Sequence, residues 1–348
     1  MKKRGEQGLV PLGDLLTPKL IRQIKRRAGP TPIEQRLIEA RAGNIENPDA
    51  RKLLYQHSVF CQAYLPYRNP GDDVREWERR NGDVHLEVRA GKAMHPTERR
   101  LVKVGLPFGP KCRLVLMSIN QLAIRGQSPH IEVEDSLTAF VRRVLKLDPM
   151  GRNITEVKNQ LSRLASADMT LGRVADFPEG TAAGTDYIRV VENLNVWFPK
   201  NEHQRVLWPS VIDLSPSYFK SLMEFAVPLD EAHIAALSHS ALALDIYAWL
   251  AQRLHRIPEG KPARVSWAAL HGQFGQGYTG DQAIKKFRSV FRVALKEVKI
   301  VYSAARIEDE TPKPARLYVQ GGQRVWREKP AKGLTLYNSA PPVRKLLR

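Results

Sequence analysis

The apolar positions of the chain follow a helical period in several stretches, and the clearest of these spans 281–299. Five apolar side chains share one face of this predicted helix: Ile284, Phe287, Phe291, Leu295 and Val298. They fall together because positions three, four and seven apart lie on the same side of an α-helix. The pattern therefore predicts a long amphipathic helix whose apolar face packs against a core.

The same order of elements is predicted twice along the chain: a helix, a short strand, two helices and two strands. In the first copy the helices are predicted at 112–125, 137–145 and 154–167, and the strands at 131–134, 187–198 and 204–214. In the second copy the helices are predicted at 241–257, 267–274 and 281–299, and the strands at 263–266, 300–306 and 315–320. Glycine and proline residues separate most of these segments. This order is that of the winged-helix domain, so we expect an α+β fold with two tandem winged-helix domains.

The expected division of the chain has three parts. Residues 1–50 are predicted to form a basic, partly flexible N-terminal arm, because residues 1–27 hold eight basic and two acidic residues between several glycines and prolines. Residues 51–215 form the first winged-helix domain, in which the Asn81-Gly82-Asp83 turn predicts a β-hairpin. Residues 216–348 form the second winged-helix domain with a basic C-terminal tail. This last part carries 21 basic and 11 acidic residues.

Positive charge dominates the whole chain, with 55 Lys and Arg residues against 36 Asp and Glu and a formal net charge of +19. Such an excess is typical of proteins that bind a polyanion, and nucleic acid is the commonest one. An anionic membrane surface is the rival partner. No run of 18 apolar residues occurs, and no apolar segment follows the basic N-terminus. We therefore expect no membrane span and no signal peptide, and we expect the protein in the cytoplasm.

The face of helix 281–299 opposite the apolar stripe carries hydrogen-bond donors and almost no acid. Its members and flanking residues are Gln282, Lys285, Lys286, Ser289, Arg292 and Lys296. A solvated helix face usually mixes charges of both signs, because opposite charges four positions apart stabilise the helix. A face of one sign suits the major groove of DNA, where phosphates line the edges and bases offer acceptors. We therefore predict that this face binds double-stranded DNA; a face adapted only to solubility is the alternative.

Two further groups of residues are predicted to contact DNA. Arg306 stands in the strand pair that would form a wing, from which it would reach an adjacent backbone or minor groove. In the first domain, Lys158, Asn159 and Arg163 lie on the outer side of helix 154–167. This face is less basic, which suits the positioning of phosphates more than the reading of bases. An ordinary surface helix is the alternative for this second group.

The sequence lacks the motifs of several classes of enzyme that act on DNA or nucleotides. It has no G-x-x-x-x-G-K-[ST] phosphate loop, no H-E-x-x-H motif, and no pair of histidines flanking one apolar residue, which a nicking enzyme needs to hold a metal. The two cysteines, Cys61 and Cys112, are too few for a disulfide framework or a cysteine-rich zinc site. We therefore predict no catalytic residue, no metal and no cofactor. A primase or a nicking enzyme is the least favoured interpretation.

Short motifs across residues 55–343 form a set that is specific when taken together. They are AYLPYR at 63–68, GLPFGPKCRL at 105–114, IE at 131–132, SLTAF at 136–140, QLSRL at 160–164, VPLD at 227–230, ALDIYAWL at 243–250, GLTL at 333–336 and PPV at 341–343. This set resembles the plasmid-encoded RepA replication initiator family.

The resemblance implies a non-enzymatic initiator of plasmid replication. Such proteins bind directly repeated sequences, called iterons, at the plasmid origin and open the adjacent duplex. They recruit the host replicative helicase and the host initiator DnaA, and as homodimers they repress their own promoter. A winged-helix transcriptional repressor that never opens DNA is the alternative, since it shares the fold and the charge. Two DNA-reading units in one chain favour the initiator, because a simple repressor more often has one unit per chain and dimerises.

Overall fold

The computed structural model describes most of the chain between Gly29 and Val343. The described residues are 29–46, 52–82, 84–95, 99–133, 141–142, 145, 147–177, 180–195, 210–310, 313–320, 323–329 and 332–343. Helices and strands are mixed along these ranges, so the fold is α+β, as the sequence predicts. Within these ranges, no helix has both the length and the apolar character that crossing a bilayer requires.

The first described helix, α1 (Pro32–Glu46), begins at a sequence signal that is typical of helix starts. The hydroxyl of Thr31 accepts a hydrogen bond from the backbone N–H of Glu34 at 3.2 Å, and the Glu34 carboxylate accepts one from the Thr31 N–H at 3.0 Å. This reciprocal pair is a capping box. Proline fits the first helical position, because the N–H that it lacks has no partner there in any helix.

α1 is an ordered part of the segment 1–50, which was predicted to be a basic, partly flexible arm. Leu37 and Ile38 are buried, so residues 32–46 belong to the folded body. Residues 1–28 and 47–51 lie outside the described residues. The helix was not predicted because it follows a strongly basic segment, although the Thr31–Glu34 capping box is legible in the sequence.

The first half of the chain is built mainly from antiparallel strands around two long helices. Its elements are β1 (Leu53–His57), β2 (Glu76–Asn81), β3 (Val84–Arg89), β4 (Lys92–His95), β5 (Arg100–Lys103), α2 (Gly109–Gly126), β6 (His130–Val133), α3 (Gly151–Ser166), β7 (Asp168–Phe177), β8 (Gly180–Ile188), β9 (Val191–Asn195) and β10 (Ser210–Leu214). One sheet has the strand order β2-β3-β7-β8, a second has the order β6-β10-β9, and β4 pairs with β5. Gly82 makes the predicted β2–β3 turn with a φ of 57°, a backbone conformation that glycine adopts without strain.

The helices of this half follow the prediction more closely than the strands do. α2 and α3 cover the helices predicted at 112–125 and 154–167. Most of the helix predicted at 137–145 lies outside the described residues. The β7–β8 hairpin was not predicted, because its sequence is rich in small and polar residues and shows no alternating apolar pattern.

The chain is folded on the C-terminal side of the expected domain boundary between residues 215 and 216. This part contains α4 (Pro216–Phe225) and β11 (Ala226–Asp230), and α5 (Glu231–Leu237) follows directly. The hydroxyl of Ser215 accepts from the N–H of Tyr218 and caps α4, and the carboxylate of Asp230 caps α5 in the same way. β11 pairs antiparallel with β1, so the beginning of the first half is hydrogen-bonded to the beginning of the second.

The second half has the predicted order of helix, strand, helix and helix, and four described strands follow where two were predicted. Its elements are α6 (Ala241–Arg253), β12 (Ala263–Ser266), α7 (Trp267–Phe274), α8 (Ala283–Val301), β13 (Ile307–Asp309), β14 (Lys313–Gln320), β15 (Gln323–Lys329) and β16 (Gly333–Leu336). The strands β12, β16 and β13 form a sheet in that order, and β14 pairs with β15 between β13 and β16 in the chain. Only glycine fits at 333, because a Cβ there would overlap the carbonyl of Val265 on β12.

The boundary between the long helix and the following strand corrects the prediction. α8 continues to Val301, so the strand predicted at 300–306 is wrong, and the first strand after the helix is β13. Ile300, Val301 and Tyr302 are all buried. These residue types favour strands locally, but here their burial against the core keeps the chain helical for two more residues.

The two halves share one apolar core. Tyr64 of the first half stacks on Phe274 of the second, with ring centroids 4.7 Å apart. Beside them, the guanidinium of Arg113 on α2 donates to both carboxylate oxygens of Asp245 on α6, each at 2.7 Å. Burial raises the pKa of the Asp245 carboxyl, and Arg113 opposes this shift. Loss of either partner would leave a buried charge uncompensated, so the pair holds α2 and α6 together.

Candidate nucleic-acid interface

A cluster of aromatic rings holds α8 in place. Phe287 and Phe291 are fully buried. The ring of Phe291 meets those of Trp267 and Phe274 nearly edge-on, with centroids 5.8 and 5.3 Å away. Edge-to-face contacts of this kind add to the stabilisation that burial alone provides. The helix is therefore fixed in rotation, which determines the side chains that it exposes.

The predicted apolar stripe is confirmed at four positions and wrong at one. Phe287, Phe291, Leu295 and Val298 are buried, but Ile284 is 44% exposed. It lies in the first turn of α8, ahead of the aromatic cluster, and its neighbour Ala283 is buried in its place.

Gln282, Lys285, Lys286 and Ser289 are exposed side by side at the N-terminal end of α8, and we refer to these four residues as the groove face. Within the part of the chain that the structure describes, none of the four side chains has a hydrogen bond or an ion pair. Residue 282 makes no side-chain cap, and the first turn contains no acid. Lysines at this end of a helix are disfavoured, because the helix dipole places partial positive charge there. The arrangement therefore suits an external anion.

Arg292 was predicted to lie on a helix face without acids. The structure corrects this, because an acid from another element pairs with Arg292, which is therefore not a free donor. Its guanidinium donates to both carboxylate oxygens of Asp309 on β13, at 2.5 and 2.8 Å. It also lies 5.1 Å from the centroid of the Trp267 ring. A bidentate pair of this kind fixes geometry, so Arg292 fastens α8 to the strand from which the β14–β15 hairpin starts.

Lys296 is also engaged within the protein. Its ammonium lies 3.6 Å from the carboxylate of Glu34 on α1. Because α1 lies against this end of α8, only the N-terminal half of the outer face is open to a large partner. The six donors predicted on this helix thus divide into the groove face, which is free, and two cations that serve the fold.

Arg306 lies away from the wing, contrary to the prediction. It precedes Ile307, which pairs with Leu336 at one end of the sheet, whereas the β14–β15 hairpin leaves from Asp309 at the other end. Its side chain lies over the ring of Tyr337, with 5.5 Å between the guanidinium carbon and the ring centroid. The structure therefore does not bring Arg306 together with the groove face.

The predicted residues of α3 also divide into two kinds. Asn159 is exposed and Lys158 is half-buried. Arg163 is only 14% exposed and donates to the carboxylate of Asp72 at 2.8 Å and to the carbonyl of Leu106 at 3.1 Å. Its interpretation as an outward phosphate contact is therefore corrected, since it holds the segment before α2 against α3.

Three acids were missed in the sequence analysis, and each of them lies outside the helix that carries the cation it pairs with. Asp72 and Asp309 neutralise cations that the periodic pattern placed outside, and Glu34 does the same from α1. No local pattern reveals such pairs. The acids at 308–310 were visible as a group, but nothing in the sequence assigned one of them to Arg292.

A model of the family described as plasmid-encoded RepA protein matches residues 107–269. Over this segment the chain is similar to the plasmid-encoded RepA family, which confirms the resemblance seen in the sequence motifs. The segment runs from the residues just before α2 to the first turn of α7 and includes both Arg113 and Asp245. The groove face follows it directly in the chain.

Two solved structures show a weaker likeness. A crystal structure of domains 2 and 3 of RctB, in a selenomethionine derivative, matches with a TM-score of 0.45 and 11% identity over 79% of this chain and 98% of that chain. A second crystal structure of RctB domains 2–3 gives a TM-score of 0.41 and 12% identity over 85% of this chain and 96% of that chain. Scores of this size do not establish a shared fold or function. A search of curated proteins finds no significant match.

Proposed function

We propose that this chain initiates plasmid replication by binding directly repeated DNA sequences at a plasmid origin. The observation that carries the proposal is the groove face, an exposed set of donors without an internal partner at the start of a firmly packed helix. The similarity of residues 107–269 to the plasmid-encoded RepA family supports the biological setting. The overall excess of positive charge supports a polyanionic partner.

In this proposal α8 enters the major groove with its N-terminal half. The residues at the start of a recognition helix are the ones that contact base edges. Gln282 has the amide that reads adenine through two hydrogen bonds, and Ser289 donates to either purine. Lys285 and Lys286 neutralise backbone phosphates and release their counterions.

We further propose that both halves are winged-helix units. The strand order is the same in the two sheets: β6-β10-β9 in the first half and β12-β16-β13 in the second. In each sheet the last strand pairs with the strand that precedes the helices and with the strand that follows them. With one unit in each of two successive major grooves, a repeat would span about 20 bp.

In the first unit, Lys158 and Asn159 would position the phosphate backbone rather than read bases. This division follows from the contacts of α3, in which Arg163 is engaged within the protein. The bound protein then opens the adjacent duplex and recruits the host helicase and DnaA, and a homodimer represses the promoter. We propose that the chain does this in the cytoplasm as a binding protein, without catalysis, metal or cofactor.

Footprinting on the plasmid's own replication region tests the proposal. We expect the purified full-length chain to protect several direct repeats next to an A·T-rich stretch. Permanganate should then detect unpaired thymines in that stretch, in the presence of DnaA where the protein alone is insufficient. Affinity should fall steeply with salt, because log K changes by about −0.9 per phosphate contact for each unit of log salt.

The same experiment separates the initiator from a winged-helix repressor. Protection of a single promoter site, with no permanganate signal under any of these conditions, would favour the repressor. Salt-independent binding would contradict the electrostatic role of the groove face altogether.

A further inference from the structure

Three apolar side chains with branched β-carbons are exposed on α8. Ile284 and Val290 are each 44% exposed, and Val293 is 59% exposed. Valine and isoleucine are weaker helix formers than leucine, lysine or alanine, because the helix restricts their side-chain rotamers. A helix face adapted only to water gains nothing from them. At two of the three positions, those of Val290 and Val293, the location beside the groove face suggests contact with a binding partner.

Val290 and Val293 continue the groove face, whereas Ile284 does not. Val290 lies four positions after Lys286, and Val293 lies four after Ser289, so each valine stands one turn beyond a member of the groove face. Ile284 is nine positions before Val293, which is two and a half helical turns, and it therefore points to the opposite side. The chain thus provides two apolar side chains beside the donors and one matched residue away from them.

The charges around the valines determine which occupant fits. Lys285 and Lys286 are adjacent and unpaired within the described structure. A second copy of this chain docked face to face would bring like charges together, which is unfavourable. The major groove of DNA combines flanking phosphates with one apolar group on a base edge, the C5-methyl of thymine.

We propose that Val290 and Val293 contact thymine methyl groups in the bound repeat and so favour T·A pairs at those positions. This inference rests on the proposed function, because it needs α8 to lie in the major groove. It adds to the proposed function two residues that recognise an apolar group on the bases, beside the groove-face donors that recognise polar groups.

The test begins with the full-length chain and a pool of random duplexes, from which its preferred site is selected. Each thymine of that site is then replaced by deoxyuridine, which removes the methyl group and leaves base pairing unchanged. We expect one or two positions at which the wild-type chain binds the uridine duplex about three- to fivefold more weakly, the loss expected for one buried methyl group.

Variants assign that loss to the valines. The double variant Val290→Ala, Val293→Ala should bind the thymine duplex more weakly and should no longer distinguish it from the uridine duplex. Both substitutions favour the helix, so folding should be retained, which circular dichroism checks. The matched control is Ile284→Ala, which removes similar apolar surface from the same helix and should keep the wild-type ratio between the two duplexes.

Three outcomes would overturn the inference. The first is a selected site at which no thymine-to-uridine change matters, while salt-dependent specific binding persists; the proposed function would then stand without this inference. The second is failure to select any site, which would overturn both. The third is a wild-type dimer in sedimentation that the valine variant converts to a monomer with an unchanged ratio between duplexes, which would show a self-association surface.

Discussion

α3 and α8 correspond to each other in the predicted repeat of elements, yet they use their positive charges differently. Around α3, Glu156 accepts from Lys111 and from Arg152, and Arg163 pairs with Asp72. At the start of α8, the lysines of the groove face have no such partner in the described structure. The cations around α3 mostly stabilise the fold, whereas Lys285 and Lys286 of the groove face remain available to a ligand.

The difference shows that counting cations on a helix face does not identify a binding surface. What matters is whether an acid elsewhere in the fold already neutralises them. The Glu156 carboxylate illustrates this, because its hydrogen bond from Lys111 and its pairing with Arg152 lower its pKa. Even within α8 the same rule separates Lys285, which is free, from Arg292, which is not.

Comparing α3 with α8 assumes that both helices belong to one folded body. The variant with the largest expected effect tests this assumption. Asp245→Ala removes the carboxylate that neutralises the buried charge of Arg113, which should cost about 3–5 kcal/mol of unfolding free energy. Urea unfolding followed by tryptophan fluorescence measures the loss. The double variant Arg113→Met, Asp245→Leu should recover most of it, because neither charge then remains buried. An unchanged midpoint for Asp245→Ala would show that the pair does not join the halves.

Arg163→Ala tests whether this cation stabilises the fold or binds DNA. We expect a loss of about 1–3 kcal/mol in stability, because the variant removes the donor to the carbonyl of buried Leu106 and the packing of the Arg163 side chain. Specific DNA affinity, measured at a temperature where the variant is fully folded, should stay near the wild-type value. A normal unfolding midpoint combined with weak DNA binding would place Arg163 at the interface after all.

Lys285→Ala with Lys286→Ala should give the reverse result. DNA affinity should fall about tenfold, or about 1.4 kcal/mol, and the salt slope should become smaller by about two phosphate contacts. Stability should be unchanged or slightly higher, since two cations leave the positive end of a helix dipole. The matched control is Lys158→Ala, which should lower the salt slope by about one without changing sequence preference. If that control alone lost specificity, the roles of α3 and α8 would be exchanged.

The smallest expected effect comes from a variant that removes an acid of α3, so that the cations around α3 become more available to a ligand, as the groove-face lysines are. Glu156→Gln frees Lys111 and Arg152, so affinity for any duplex should rise by less than fivefold, with a slightly steeper salt dependence. The pairs around Glu156 are partly exposed, so the stability cost should stay below about 1 kcal/mol. In the wild type this contribution is present above the ordinary carboxylate pKa and is lost as pH falls through the lowered one. Unchanged duplex binding in titrations at two salt concentrations would show that α3 does not approach DNA.

The sequence predicted what depends on local periodicity and missed what depends on distant contacts. The apolar period located α8, since Phe287 and Phe291 repeat at helical spacing. The same reasoning ended the helix too early, because Ile300 and Val301 have strand-forming side chains and only tertiary burial keeps them helical. The partners of Arg163 and Arg292 were not predictable, because a side chain 91 positions away leaves no trace in a helical pattern.

The contact between Glu34 and Lys296 also fixes where the N-terminal part of the chain leaves the folded body. Thr31 caps the first turn of α1, and its N–H donates to the same Glu34 carboxylate that contacts Lys296, so Thr31 is anchored next to α8. Residues 1–27 hold eight basic side chains. Because they are tethered at this point, their concentration near a bound duplex depends on the length of the tether and not on the amount of protein in solution. In the proposed complex with DNA, this anchor would keep the sequence-independent attraction of the basic segment for phosphate close to α8, which would speed rebinding without altering the choice of site.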